Sequence, residues 1–190
     1  RLQSTRLPRK PLLPIQGKPM IQWVYENAKR CDFLTDLIVA TDSQEIAETV
    51  TGFGGKAEMT DPAIPTGSER VAAVARHHPD CDIVINLQGD EPFIKPAMLK
   101  QLIQPYLKGE TPDMTTLAFP LNHAEKHTDS GAVKVITDLH GNAIYFSRAP
   151  IPYFRVKVPA PVYHHMGLYA FRRDFLLRYA SLPPTPLEQA

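Results

Sequence analysis

Two short segments of this chain gather side chains that can act on phosphate. The first is Arg1-Leu-Gln-Ser-Thr-Arg6-Leu-Pro-Arg9-Lys10, with four cations and two hydroxyls in ten residues. A triphosphate needs such groups, charge against its oxygens and donors that reach them singly. At an effective dielectric of 20, one cation about 4 Å from a phosphate charge is worth ~4 kcal/mol. The plain alternative is a solvated basic end, and the segment is neither a Walker sequence nor a dinucleotide fingerprint. The second segment is Gln88-Gly-Asp90-Glu91-Pro92, which follows the apolar run Ile83-Val-Ile-Asn-Leu87. A carboxylate there can hold Mg²⁺ and leave the ion open to phosphate oxygens and water. Gly, Asp and Pro also make ordinary turns.

Three further groups are candidates. Thr66-Gly67-Ser68-Glu69-Arg70 can offer a ligand exposed backbone groups at a helix start, or can be a helix cap alone. Arg148, His165 and Tyr169 can receive an acidic, hydroxyl-rich molecule, or can be satisfied structural groups. No Ser-His-Asp arrangement, zinc spacing or carboxylate pair stands out, which argues against hydrolase chemistry.

The elements that must carry these residues follow from periodicity. Pro19 with Met20, Ile21, Val24, Tyr25 and Ala28 has helical spacing. Leu37–Ala40 and Ile83–Leu87 read as strands covered on both faces. Asp42 with Glu45 resembles a capping pair for the next helix, which stops near Gly52–Gly55, and a weak strand follows at Lys56–Met59. Ser68 is placed to cap a helix bearing Val71, Val74 and Ala75, and Pro96 starts another through Tyr106. Such alternation predicts an α/β fold with a doubly wound, mostly parallel sheet, whose ligands sit beyond the strands' carboxyl ends.

From Met114 the pattern changes. Met114–Phe119 and Val133–Ile136 read as strands, and His140-Gly-Asn142 turns the chain into Ala143–Phe146 as a hairpin. The prolines at 150, 152, 159 and 161 exclude regular structure and suit a lid, a dimer contact or an ordered loop. Gly167–Phe171 is a returning strand, and Phe175, Leu176 and Tyr179 belong to a helix.

The 190 residues are 43% hydrophobic, which suits one compact domain. Twenty-one basic against 20 acidic residues give no surface for coating nucleic acid. No apolar run is long enough to cross a bilayer, so no membrane partner is expected. Cys31 and Cys81 have no metal-type spacing and are expected as reduced thiols of a cytosolic protein. The chain opens without Met and ends in a helix start, so residues 1–190 read as a single domain trimmed at both ends.

Read in order, these segments resemble the 3-deoxy-manno-octulosonate (KDO) cytidylyltransferase family. The matches are Arg1-x-x-Ser4-Thr5-Arg6-Leu7-Pro8-x-Lys10-Pro11-Leu12, Val39-Ala-Thr-Asp42, Thr66-Gly-Ser-Glu-Arg70 and Gln88-Gly-Asp-Glu-Pro92. Val133-Lys-Val135, Tyr145-Phe-Ser-Arg148, His165-Met-Gly-Leu-Tyr169 and Pro186-Leu-Glu188 follow. The resemblance implies a nucleotide-diphospho-sugar transferase-like fold with an inserted β-hairpin used in dimerisation. It implies transfer of CMP from CTP to KDO, releasing pyrophosphate, by a cytoplasmic homodimeric enzyme of lipopolysaccharide biosynthesis.

Arg1, Ser4, Arg6 and Lys10 would then face the CTP phosphates, and Thr66, Gly67, Ser68 and Arg70 would lie near the cytidine. Asp90 would bind Mg²⁺ and act with Lys10 in catalysis; Gln88, Arg148, His165 and Tyr169 would line the sugar side. The pattern departs from the family at Arg9, usually Gly, and at Ile64-Pro-Thr-Gly-Ser68, usually His-x-Ser-Gly-Thr. The family's opening strand and carboxy-terminal part, with a second metal-binding Asp, have no counterpart here, so this piece alone is not expected to be active. A CMP-acylneuraminate synthetase and a non-catalytic nucleotide-binding module are the alternatives.

Overall fold

The computed structural model describes residues 7–121, 127–156 and 161–186. They form two compact units, each treated by itself below. One takes the described residues up to Thr115 and from Tyr169 onward, the other runs from Thr116 to Leu168.

In the first unit a short 3-10 turn, Lys10–Leu12, and the small ladder of β1 (Pro14–Ile15) with β2 (Lys18–Pro19) lead into α1 (Met20–Lys29). Ile21, Val24, Tyr25 and Ala28 are the buried face of α1, as their spacing requires. Strand β3 (Ile38–Thr41), helix α2 (Gln44–Gly52) and strand β4 (Lys56–Met59) then make a parallel β-α-β unit, with Ile38 opposite Lys56 and Thr41 opposite Met59. Ile46 and Val50 of α2 pack with Ile21 against Val39, Phe53 and Ala57. Burying side chains of this size contributes about 1.5–3 kcal/mol each. The turn out of α2 demands glycine. A Cβ on Gly55 would lie 2.8 Å from Val50 Cγ1 and 3.0 Å from the Val50 carbonyl oxygen.

Helix α3 (Gly67–Ala75), strand β5 (Ile83–Asn86) and helix α4 (Pro96–Leu107) follow, with Pro96 at the tolerated first turn of α4. Residues Tyr169–Arg172, the end of strand β9 (Tyr163–Arg172), run antiparallel to β5, and helix α5 (Arg173–Tyr179) continues from them. Phe171 and Leu176 pack on Ala72 and Ala75 of α3. In the second unit, strand β7 (Lys134–Thr137) pairs antiparallel with β8 (Ala143–Ser147) and with the start of β9. The hairpin turn is held by Asp138, whose Oδ1 accepts from the His140 and Asn142 N–H groups at 2.9 and 2.8 Å. Strand β6 (Met114–Pro120) also pairs with β9.

The α/β class holds. Strand direction is more mixed than alternation alone suggests: β3–β4 is parallel, whereas β5–β9, β7–β8 and β7–β9 are antiparallel. Alternation carries direction only while each strand pairs with the next across one helix. β9 returns to β5 after the whole second unit and so meets it from the other end. Two capping expectations also change. Ser43, not Asp42, caps α2, accepting from Ile46 N–H, and Thr66, not Ser68, caps α3. A side chain can cap only from the last non-helical residue, and both expected caps miss that position by one or two residues.

Candidate active site

Lys10 opens the 3-10 turn and reaches Asp90 in the loop that follows β5. Its Nζ donates to Asp90 Oδ2 at 2.7 Å, with the two side chains 35% and 42% exposed. The two residues expected to act together are therefore in contact across 80 positions of sequence. Beside them burial pushes the Glu91 carboxyl up, and the Asp90 charge adds to the effect. Arg9 takes the left-handed backbone, φ 57 and ψ 22, where the resembled family has glycine. Its guanidinium pairs with Glu45 in the first turn of α2. Arg1, Ser4 and Arg6 lie outside the described residues.

The start of α3 forms the second part. Thr66 and Glu69 make a reciprocal capping box: Glu69 N–H donates to Thr66 Oγ1 at 3.2 Å, and Thr66 N–H donates to Glu69 Oε2 at 2.9 Å. Ser68 Oγ accepts from Asn86 Nδ2 at 3.2 Å, and Gln88 Nε2 donates to Asn86 Oδ1 at 3.3 Å. One buried amide thus ties the β5 strand end to the α3 N-terminus. Gly67 lies within this group, since a Cβ there would stand 3.7 Å from Gln88 Nε2. Arg70 is buried. Its guanidinium donates to Asp42 Oδ2 at 2.8 Å, to Thr60 Oγ1 and, at 3.4 Å, to the Ile64 carbonyl. It braces the segment that leads to Thr66.

Neither Asn86 nor Asp42 is a site candidate by sequence, where Asp42 reads only as a helix cap. The available signals were a polar residue within one apolar strand run and an acid just past another. A cavity of about 850 Å³ lies between α1, β3, α3 and β5. Apolar side chains from both helices, such as Val24 and Val74, line it together with Arg70, Asn86 and Gln88.

Of the residues expected on the sugar side, Gln88 and Tyr169 belong to the first unit and Arg148 and His165 to the second. Tyr169 is opposite Asn86 in the β5–β9 register, and burial first, then Tyr179, pushes its phenol up. His165 Nε2 is 2.9 Å from Thr116 Oγ1, and that hydroxyl is also 2.8 Å from the Leu168 carbonyl. A hydroxyl has one proton, and the carbonyl can only accept. The His165 Nε2–H is therefore the donor to Oγ1. Burial, then the neighbouring His164, pushes its pKa below the ordinary value. Phe146 meets its ring edge-on, with centroids 4.7 Å apart. Arg148 is exposed, and its Nη1 donates to the carbonyls of Ser130 and Gly131 at 2.8 and 3.3 Å. Arg148 and His165 sit one register step beyond Lys134, which pairs with Ser147 and His164, so their backbones flank Val133.

Comparison with known proteins gives one direction. The sequence model of the family described as Cytidylyltransferase matches residues 1–190. A 3-deoxy-manno-octulosonate cytidylyltransferase of Acaryochloris marina is 56% identical over 188 residues, which are 99% of this chain and 77% of that one. The protein of the same description from Synechococcus elongatus is 48% identical over 190 residues, 100% of this chain and 78% of its own. Among solved structures, a CMP:2-keto-3-deoxy-manno-octonic acid synthetase complexed with CTP matches with TM-score 0.91 at 42% identity. The match covers 99% of this chain and 77% of that one.

Proposed function

The chain belongs to the 3-deoxy-manno-octulosonate cytidylyltransferase family, and we propose that its transfer of CMP from CTP to KDO takes place at the Lys10–Asp90 pair. The observation that carries this reading is the 2.7 Å contact between the Lys10 ammonium and the Asp90 carboxylate in the loop after β5. In the reaction the anomeric hydroxyl oxygen of KDO bonds to the α-phosphorus. The bond to the β-phosphate breaks with its electron pair going to pyrophosphate, and the hydroxyl proton passes to the medium. Positioning and charge neutralisation supply most of the acceleration.

Each residue then has a task. Lys10 leaves Asp90 to meet the incoming phosphates, joined by Arg1, Arg6 and Ser4. Thr66, Gly67 and Ser68 offer the α3 N-terminus to the cytidine, and Arg70 holds the segment before them. Gln88 is oriented by Asn86 toward the sugar, with Tyr169. Arg148 grips the sugar carboxylate, and His165 hydrogen-bonds a hydroxyl. Asp90 fits Mg²⁺: it is a half-exposed oxygen donor with one oxygen engaged by an ammonium that phosphate can take over. When bound, the ion offsets charge on the phosphate oxygens.

The reading extends to a cytoplasmic homodimer that feeds lipopolysaccharide synthesis. In support, Cys31 and Cys81 are both free thiols, and Ile144, Tyr145 and Phe146 of β8 are 65%, 50% and 36% exposed. Sedimentation of Ile144→Asp against wild type tests the dimer. The central test is pyrophosphate release from CTP, KDO and Mg²⁺ by Asp90→Asn and Lys10→Ala variants of the intact enzyme. Each is expected to lose on the order of 10²–10³ in kcat with folding unchanged. Near-normal turnover by either variant would refute the assignment.

A further inference from the structure

Among the described residues, the second unit buries a charged side chain for which the reaction above has no use. Lys134 is 0% exposed, and its Nζ lies 2.9, 2.7 and 2.6 Å from the carbonyl oxygens of Asp129, Ala132 and Arg148. An ammonium has three donors and no acceptor, so three carbonyls take all its protons, and the geometry is that of the charged form. Among the described residues no carboxylate is within ion-pair distance of it. Burying such a charge is costly, and an apolar side chain of similar volume would fill the space without that cost. Packing alone does not account for a lysine here.

What the ammonium holds does account for it. Arg148 Nη1 donates to the Ser130 and Gly131 carbonyls, and Lys134 takes the carbonyls on either side, at Asp129 and Ala132. Four consecutive carbonyls are therefore gathered by two cations. Lys134 also binds the carbonyl of Arg148 itself, which closes a ring between the two residues. The Arg148 guanidinium keeps its Nε and Nη2 edge without a protein partner among the described residues. That edge is the one a carboxylate would meet bidentately.

We propose that Lys134 is a positioning residue for the acidic sugar: it fixes the backbone of Arg148 and the carbonyl row that seats its guanidinium, so that the open edge is preorganised for the substrate carboxylate. This rests on the reading of Arg148 as the carboxylate partner. Its uncompensated charge adds to the positive field at the same place.

The test is a double-mutant cycle in the intact enzyme with Lys134→Met and Arg148→Lys, measuring KM for KDO, KM for CTP, kcat and thermal midpoint. Lys134→Met is expected to raise KM for KDO on the order of 10²-fold, the cost of a misplacement near 1 Å, with KM for CTP within about twofold. The double variant should be no worse than Arg148→Lys alone, because residues in one network couple. A merely structural lysine would lower the midpoint and kcat while both KM values stayed put, and that result overturns the proposal. So does an additive cycle. If Arg148→Lys leaves KM for KDO unchanged, the reading of Arg148 itself falls. Asp129→Ala provides a second route at an exposed position, since it removes the 2.7 Å bond from Gly131 N–H to Asp129 Oδ1 and loosens the same carbonyl row. It should shift KM for KDO in the same direction, and an unchanged KM there also counts against Lys134.

Discussion

Replacing Arg70 by methionine tests whether this residue holds the nucleotide directly or holds the segment that does. Its side chain is 6% exposed and that of Asp42 is 18% exposed, with 2.8 Å between them. Removing the guanidinium leaves a largely buried carboxylate without its partner, together with Thr60 Oγ1 and the Ile64 carbonyl. Breaking a buried pair from one side costs about 3–5 kcal/mol. Water can still reach part of Asp42, and the hydroxyl of Thr60 can rotate, so the lower end, about 3 kcal/mol, applies. For a chain of this size that corresponds to a fall of roughly 6–12 °C in thermal midpoint. Asp42→Ala strands the buried guanidinium and should cost a similar amount. Urea unfolding and CTP calorimetry on both variants decide the matter. If Arg70 braces residues 60–66, the two variants weaken CTP binding about equally. A large loss of CTP affinity in Arg70→Met with Asp42→Ala near wild type would refute the bracing argument and put the guanidinium on the nucleotide.

Further outcomes are expected. Arg9→Gly relieves a left-handed backbone worth about 1–2 kcal/mol, against roughly 0.5–1 for glycine's extra chain entropy and 0–1 for the exposed Glu45 pair. Its unfolding free energy should stay within about 1 kcal/mol of wild type, and a larger loss in urea would show that Glu45 holds the loop. Affinity should fall from CTP to CDP to CMP and weaken with added salt, because Lys10 and its neighbours act on phosphate charge; calorimetry giving equal binding for all three would place the basic segment elsewhere. The pKa of His165 is depressed on folding, so the unfolded state binds its proton first as pH drops. Stability present above the ordinary histidine value near 6.5 should decline as pH falls toward the lower folded value, and His165→Gln should flatten that part of a urea-midpoint profile.

Local pattern was enough for much of the scaffold. The apolar runs at 37–40 and 83–87 are the strands β3 and β5, and the 3.6-residue spacing after Pro19 is α1. The turn at His140-Gly-Asn142 is the β7–β8 hairpin, because turn chemistry is decided by neighbouring residues. Lys10 and Asp90 were also legible as separate chemical signals, each at the edge of a predictable element. Their contact was not, since only strand order brings residues 80 apart within hydrogen-bonding reach. The same holds for Asp42, which as sequence is a helix cap and in space is the partner of Arg70, 28 residues away. Ladder direction, too, depends on which strand a returning segment meets, and no periodicity records that. Lys134 is the extreme case: a lysine within a β-strand pattern reads as solvated, and only three converging backbone carbonyls make it a buried cation. Side-chain spacing is written along the chain, whereas backbone carbonyls carry no letter, so whatever they bind is decided by the tertiary structure alone.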